Sequence, residues 1–133
     1  MKNEELILEA KKAREKSYSP YSHFQVGAAL LAKSGKIYHG CNIENAAYTP
    51  TNCAERTAFF KAVSEGETEF EKIAIVGGVE GKEPDGMCAP CGVCRQVMME
   101  FCNPEEFQIV LMDEEGRHKE FLLKELLPYG FKL

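Results

Sequence analysis

The chain lacks any apolar run long enough to cross a bilayer, and Met1-Lys2-Asn3-Glu4-Glu5 puts acid ahead of any apolar stretch. Neither a membrane span nor a signal-peptide core is therefore expected. Positive charge is scarce: 16 Lys and Arg stand against 21 Asp and Glu, a net charge of -5, and the basic residues are scattered instead of gathered into a stripe. A phosphate backbone would find little to hold, so no nucleic-acid partner is expected. Internal repeats and low-complexity tracts are also missing. What remains, 133 residues with 44% hydrophobic content, fits one domain spanning residues 1–133. Such a chain buries roughly two-thirds of its unfolded surface and needs no disulfide staples. In the reducing cytoplasm expected for it, cysteines serve as metal ligands or as buried packing.

Periodicity and punctuation predict the elements. Asn3 reads as the cap of a helix over Glu4 to Lys16, with Leu6, Ala10 and Ala13 on its apolar face and Ser17 to Pro20 as its stop. Val26 to Ala32 and Lys36 to Cys41 read as strands joined at Ser34-Gly35. Ala54 to Val63 has no Gly or Pro and reads as a helix stopped at Gly66, with Thr51 and Asn52 ahead of it. Lys72 to Val76 is a short apolar strand, a helix runs from Cys91 to about Cys102, and Asn103-Pro104 precedes a strand at Phe107 to Met112. His118 to Leu122 adds an edge strand and Lys124 to Leu127 a helical turn. The alternation predicts a layered α/β domain whose parallel strands deliver helix starts to one sheet edge. The acidic groups Glu65 to Glu71 and Asp113-Glu114-Glu115 read as solvated turns.

Chemistry concentrates in the cysteines. Cys91 and Cys94, behind Pro90, fall on one face of a first helical turn, and Cys53 stands at another helix start. Three thiolates fill three corners of a tetrahedral zinc site and leave the fourth for water, and Glu55 supplies a carboxylate beside them. Zinc with three thiolates keeps one net negative charge, for which Arg56 and Arg95 are the nearby cations. Other readings stay open. Asn52 and Glu55 also match a capping box, and Cys91 and Cys94 match a redox dithiol. Cys88, with Cys91, Cys94 and Cys53, would instead close a four-thiolate or iron-sulfur site with no open position. Cys41 and Cys102 have no partner pattern and read as buried thiols.

Cys53 to Arg56 and Pro90 to Gln96 resemble the zinc signature of the small cytidine deaminases. The resemblance extends to Tyr21 to Ala29, Gly40 to Asn45, Thr51 to Ala62 and Leu126-Leu127-Pro128, and so covers most of the chain. It implies one zinc ion per chain on Cys53, Cys91 and Cys94, and Glu55 as the proton carrier in hydrolysis of cytidine and deoxycytidine to uridine and deoxyuridine. It also implies a three-layer α/β/α domain on a mixed sheet of about five strands, and a homotetramer acting in pyrimidine nucleoside salvage. The related blasticidin-type deaminases share the cysteine and glutamate pattern and remain an alternative. The connection from Gly78 to Ala89, with Met87 and Cys88, is longer than is common in the family.

Substrate-binding residues follow from strand spacing and from the resemblance together. Phe24 and Val26 are two apart and apolar, while Asn42 and Glu44 are two apart and polar, so each pair projects to one face. An aromatic wall for the base beside an amide and a carboxylate for ribose hydroxyls suits a nucleoside. Read alone, Phe24 is more often a core residue and the polar pair more often turn residues, and only the wider match makes them binding residues. The resemblance adds Ala54 and Cys91 at the base edge, and Tyr48 and Phe131 as groups lent between subunits. Phe59 and Phe60, adjacent on one helix, point to different sides, and one is available to face another subunit.

Overall fold

A computed structural model describes residues 1–133. In chain order it contains α1 (Asn3–Arg14), β1 (Phe24–Ala32), β2 (Ile37–Cys41), α2 (Ala54–Ser64), β3 (Phe70–Val79), α3 (Gly92–Phe101), β4 (Gln108–Met112), β5 (His118–Leu122) and α4 (Leu123–Leu126). The five strands form one sheet in the order β2-β1-β3-β4-β5. β1 is antiparallel to both β2 and β3, β3 is parallel to β4, and β4 is antiparallel to β5. Consequently β2, β3 and β4 all run one way. The helices that follow β2 and β3 therefore both begin at the same end of the sheet.

Alternation along the strands divides the core into two layers. Ala29, Leu31, Ala74, Val76, Val110 and Met112 face α1 through Leu6, Ile7 and Ala10. Their neighbours Ala28, Leu30, Ile73, Ile75, Ile109 and Leu111 face α2, α3 and α4 through Ala58, Phe59, Met98 and Leu123. A period of two on each strand and of 3.6 on each helix thus yields the expected three layers. The helices sit almost on the backbone at two glycines. A Cβ on Gly27 would lie 2.1 Å from the Ala10 carbonyl oxygen of α1, and one on Gly40 would lie 2.2 Å from the Ala54 carbonyl oxygen at the start of α2. Phe59 anchors the lower layer, with its ring 5.0 Å from Phe70, 6.1 Å from Phe107 and 6.2 Å from Phe101.

Several boundaries differ from the sequence reading for identifiable reasons. Asn3 is the first residue of α1 and not its cap, because its side chain is engaged elsewhere: it bonds Glu120 of β5 and accepts from the Lys72 ammonium at 2.8 Å. β3 has ten residues, since Gly77 and Gly78 continue its ladder with β1 as far as Phe24↔Val79. Asp113 is buried and not solvated; its carboxylate accepts from the Glu115 and Arg117 amides, each at 2.9 Å, and closes the β4–β5 turn.

Candidate metal centre and active site

Cys53 and Cys91 occupy the cap positions of α2 and α3, and Cys94 lies one turn into α3. Because both helices start at one end of the sheet, three sulfurs from distant parts of the chain meet. Their Sγ atoms all lie within 4.8 Å of one another, with Cys53 to Cys91 at 3.8 Å and Cys91 to Cys94 at 3.6 Å. Corners of a tetrahedron with metal–sulfur bonds of about 2.3 Å are about 3.8 Å apart, so these two separations match a zinc site and the donor set suits that ion. Neither helix carries a side-chain cap, which leaves the positive dipole ends facing the sulfurs. The capping-box reading of Asn52 and Glu55 is thereby replaced: the Asn52 amide donates instead to Thr57 Oγ1 at 3.1 Å.

Charge at the centre is arranged around Cys53. Hydrogen bonding from Cys94 pulls the Cys53 thiol down to about 5 against the burial that raises it, and the Arg56 guanidinium adds to the effect. The Cys94 thiol is raised in turn, by that hydrogen bond and by burial. Arg56 Nη2 donates to Cys53 Sγ at 3.3 Å, while Arg56 Nε is buried without a partner, a donor in reserve for further sulfur charge. Arg95 differs from expectation. It donates to the Pro90 carbonyl at 2.7 Å and the Leu126 carbonyl at 2.6 Å, so it fastens the Cys91 turn to the C-terminal segment.

Glu55 is only 5% exposed. Burial pushes its carboxyl up to about 7, with the Cys53 charge adding to the rise while its own amide and Cys94 oppose it. A carboxyl poised near neutrality exchanges protons in both directions. Cys88 stands outside the three-sulfur group. Its thiol rests on Gly77, where a Cβ would lie 2.6 Å from Cys88 Sγ and 3.0 Å from the Phe24 ring. Burial pushes this thiol to about 11, and the charges of Glu55 and Cys53 add to the rise. The longer connection thus brings Cys88 onto Gly77, where the Phe24 ring also rests, an approach that no local sequence signal announces.

The remaining predicted residues are spread over the sheet ends, the loops and the tail. Phe24 is partly exposed and Val26 half-buried at the start of β1, with Asn42 and Glu44 just beyond the end of β2. Glu44 and Tyr48 share an open hollow of about 420 Å³ with Tyr21, Ser22, Asn45 and Thr51. Tyr48 is 78% exposed at a positive φ of 63°, unusual for a bulky residue. Ala54 is wholly enclosed under β2, and Phe131 lies in the exposed tail, its carbonyl accepting from Gln96 at 3.1 Å. Phe59 is fully buried and Phe60 is 48% exposed, so the two rings do point apart. Cys41 and Cys102 are half-buried and lie outside the metal group. Sequence reasoning missed Ser17 and Ser22, whose hydroxyls reach Asn42 and Glu44; serines in a turn carry no distinguishing signal.

The family model for the cytidine and deoxycytidylate deaminase zinc-binding region matches residues 1–110. The chain belongs to this family. It is 56% identical over 128 residues to a cytidine deaminase of Sporosarcina psychrophila, covering 96% of this chain and 90% of that one. A cytidine deaminase of Halalkalibacterium halodurans is 50% identical over 131 residues, covering 98% and 95%. Among solved structures, cytidine deaminase from Burkholderia pseudomallei superimposes with a TM-score of 0.88 at 48% identity, covering 98% of this chain and all of that one. A blasticidin-S deaminase of Bacillus cereus is more distant, 33% identical over 109 residues. Family membership makes this a zinc-dependent hydrolytic deaminase of the cytidine deaminase fold, and the three-cysteine group is its candidate zinc site.

Proposed function

We propose that the protein hydrolyses cytidine and deoxycytidine to uridine and deoxyuridine with release of ammonia, and that Cys53, Cys91 and Cys94 hold the zinc while Glu55 moves the protons. The observation that carries this reading is a buried carboxyl, shifted to about 7, next in the chain but one to a sulfur of a metal-sized trio. Zinc on three sulfurs supplies a Lewis acid that makes water acidic near neutral pH. Glu55 takes one proton of the attacking water and passes it to the ring nitrogen beside the amine-bearing carbon; it then takes the second from the newly attached hydroxyl and delivers it to the amine, whose bond to carbon breaks as the carbonyl forms. One carboxyl thus serves as base and acid in turn, and ammonia leaves. Arg56 offsets the surplus charge of three thiolates and keeps Cys53 a thiolate.

In this reading Phe24 and Val26 line the base site, Asn42 and Glu44 receive ribose hydroxyls, and Ala54 packs beneath the base edge. Tyr48 and Phe131 are 78% and 66% exposed, large apolar rings left open to a neighbouring copy, which supports a homotetramer with shared pockets. Exposed Phe60 and Val93 on α2 and α3 support the same assembly. A cytoplasmic place in pyrimidine salvage suits a nucleoside substrate and a centre that needs its three cysteines as metal-binding thiolates. No helix is long and apolar enough to cross a membrane.

Ammonia release from zinc-loaded protein, followed separately with cytidine, deoxycytidine and blasticidin S, tests the proposal. Conversion of the nucleosides is expected. Conversion of the antibiotic alone transfers the reading to the blasticidin type, and no ammonia from any of the three rejects it.

A further inference from the structure

Asn42 follows the last residue of β2, where the ladder with β1 has reached Gly27↔Cys41. Its backbone amide still donates to the Val26 carbonyl at 3.2 Å. Beyond that point no β2 backbone faces β1, and the Asn42 side chain continues the pairing. Nδ2 donates to the Phe24 carbonyl at 2.8 Å, and Oδ1 accepts from the Val26 amide at 2.9 Å. A carboxamide offers the same donor and acceptor as a peptide group, so one side chain substitutes for a missing rung. The Ser17 hydroxyl closes on Oδ1 as well and fixes which way the amide faces.

Glu44 holds the preceding turn in the same manner. Its Oε1 accepts from the Tyr21 amide at 2.9 Å and the Ser22 amide at 3.1 Å, and the Ser22 hydroxyl donates to Oε2. The Ser22 hydroxyl in turn accepts from the Phe24 amide at 3.1 Å. Both polar backbone groups of Phe24 are therefore tied to this pair, its carbonyl through Asn42 and its amide through Ser22 and Glu44. The hydrogen-bond inventory confirms how far the pair is committed. A carboxamide has two donor and two acceptor positions, of which protein groups take three, and a carboxylate has about four acceptor positions, of which three are taken.

We propose that Asn42 and Glu44 are positioning residues for the Phe24 ring, so that they support binding of the base independently of any contact with the sugar. The proposal rests on the reading of Phe24 as the wall of a cytosine site. Its test separates base from sugar by using 2′,3′,5′-trideoxycytidine, which lacks all three ribose hydroxyls. The quantity measured is its inhibition constant against cytidine turnover by the zinc-loaded enzyme, which a competing substrate and an unreactive ligand both report.

Asn42→Ala is expected to raise that constant about tenfold, the effect of losing roughly 1.4 kcal/mol from two backbone hydrogen bonds. Asn42→Asp is expected to raise it at least as much, because a carboxylate keeps the acceptor for Val26 but sets an oxygen against the Phe24 carbonyl. A residue serving ribose hydroxyls alone would leave the constant unchanged in both variants, and that result overturns the proposal. Should neither variant accumulate folded, Ser17→Ala removes only the hydroxyl that orients the amide. Its constant is then expected to rise about threefold, and an unchanged value overturns the proposal equally. Phe24→Ala must raise the constant too; if it does not, Phe24 is not the base wall and the inference falls with it. An unmodified enzyme that leaves cytidine untouched marks failure of the functional reading instead.

Discussion

Replacing Glu55 by Gln separates what this carboxyl does for the reaction from what it costs the fold. In the metal-free protein its carboxyl sits at about 7, against 4.5 for the unhindered group, with burial as the main cause. Below the lower value the folded and unfolded chains are both protonated and burial carries no ionisation penalty. As pH rises toward and past 7, the unfolded chain has already released this proton while the folded chain must lose it inside the core. Stability therefore falls across that window, at most by about 3 kcal/mol, from about 1.4 kcal/mol for each pKa unit. Glutamine is nearly isosteric and never ionises, so the metal-free Glu55→Gln variant should gain on the parent at pH 8 and match it more closely at pH 4.5. Denaturant unfolding of chelator-treated, reduced protein at the two pH values reads the difference directly. Equal differences at both values would show that Glu55 is solvated and would remove the basis for its neutral-range acidity. The zinc-loaded variant should retain one zinc per chain and lose cytidine turnover by at least about a hundredfold, the scale of a positioned proton carrier; near-normal turnover would refute the assigned role.

Arg56→Ala should weaken zinc binding by about 10- to 100-fold in competition with a chelator, since the only guanidinium contact to Cys53 is removed. Cys88→Ala should leave zinc at one per chain, because Cys88 is not among the three grouped sulfurs; metal loss would revive a four-sulfur site. Gly77→Ala should raise the KM for cytidine by forcing Cys88 or Phe24 to move, and Cys88→Ala should relieve part of that effect. A double-mutant cycle with no coupling would contradict the 2.6 Å approach at Gly77. Phe59→Ala should destabilise the fold by about 4 kcal/mol in denaturant titration, as deletion of a fully buried ring surrounded by three others.

The chemistry of the site could be read from the chain because it is carried by residue type and local spacing. Cys53 and Cys91 stand where helices start, and Cys94 follows Cys91 at one turn; local punctuation by Pro90 and by the residues before Ala54 is enough to establish that. The strands announce themselves as short apolar runs between turn residues, and the period of two then sorts Ala28, Leu30 and Ile73 from Ala29, Leu31 and Ala74. Which groups meet across the sheet is a different kind of information. The register of β1 on β2 brings the Asn42 amide to Phe24 and Val26, and the path of the connection after β3 brings Cys88 to Gly77. Arg95 and Asn3 likewise carry no local sign of the carbonyls and the lysine they bind. Periodicity and residue chemistry are properties of neighbours in sequence, so the amino-acid order alone determined the layers, the three thiols and the carboxyl. Hydrogen bonds and steric contacts between distant segments depend on strand order and register, and those were decided only when the chain folded.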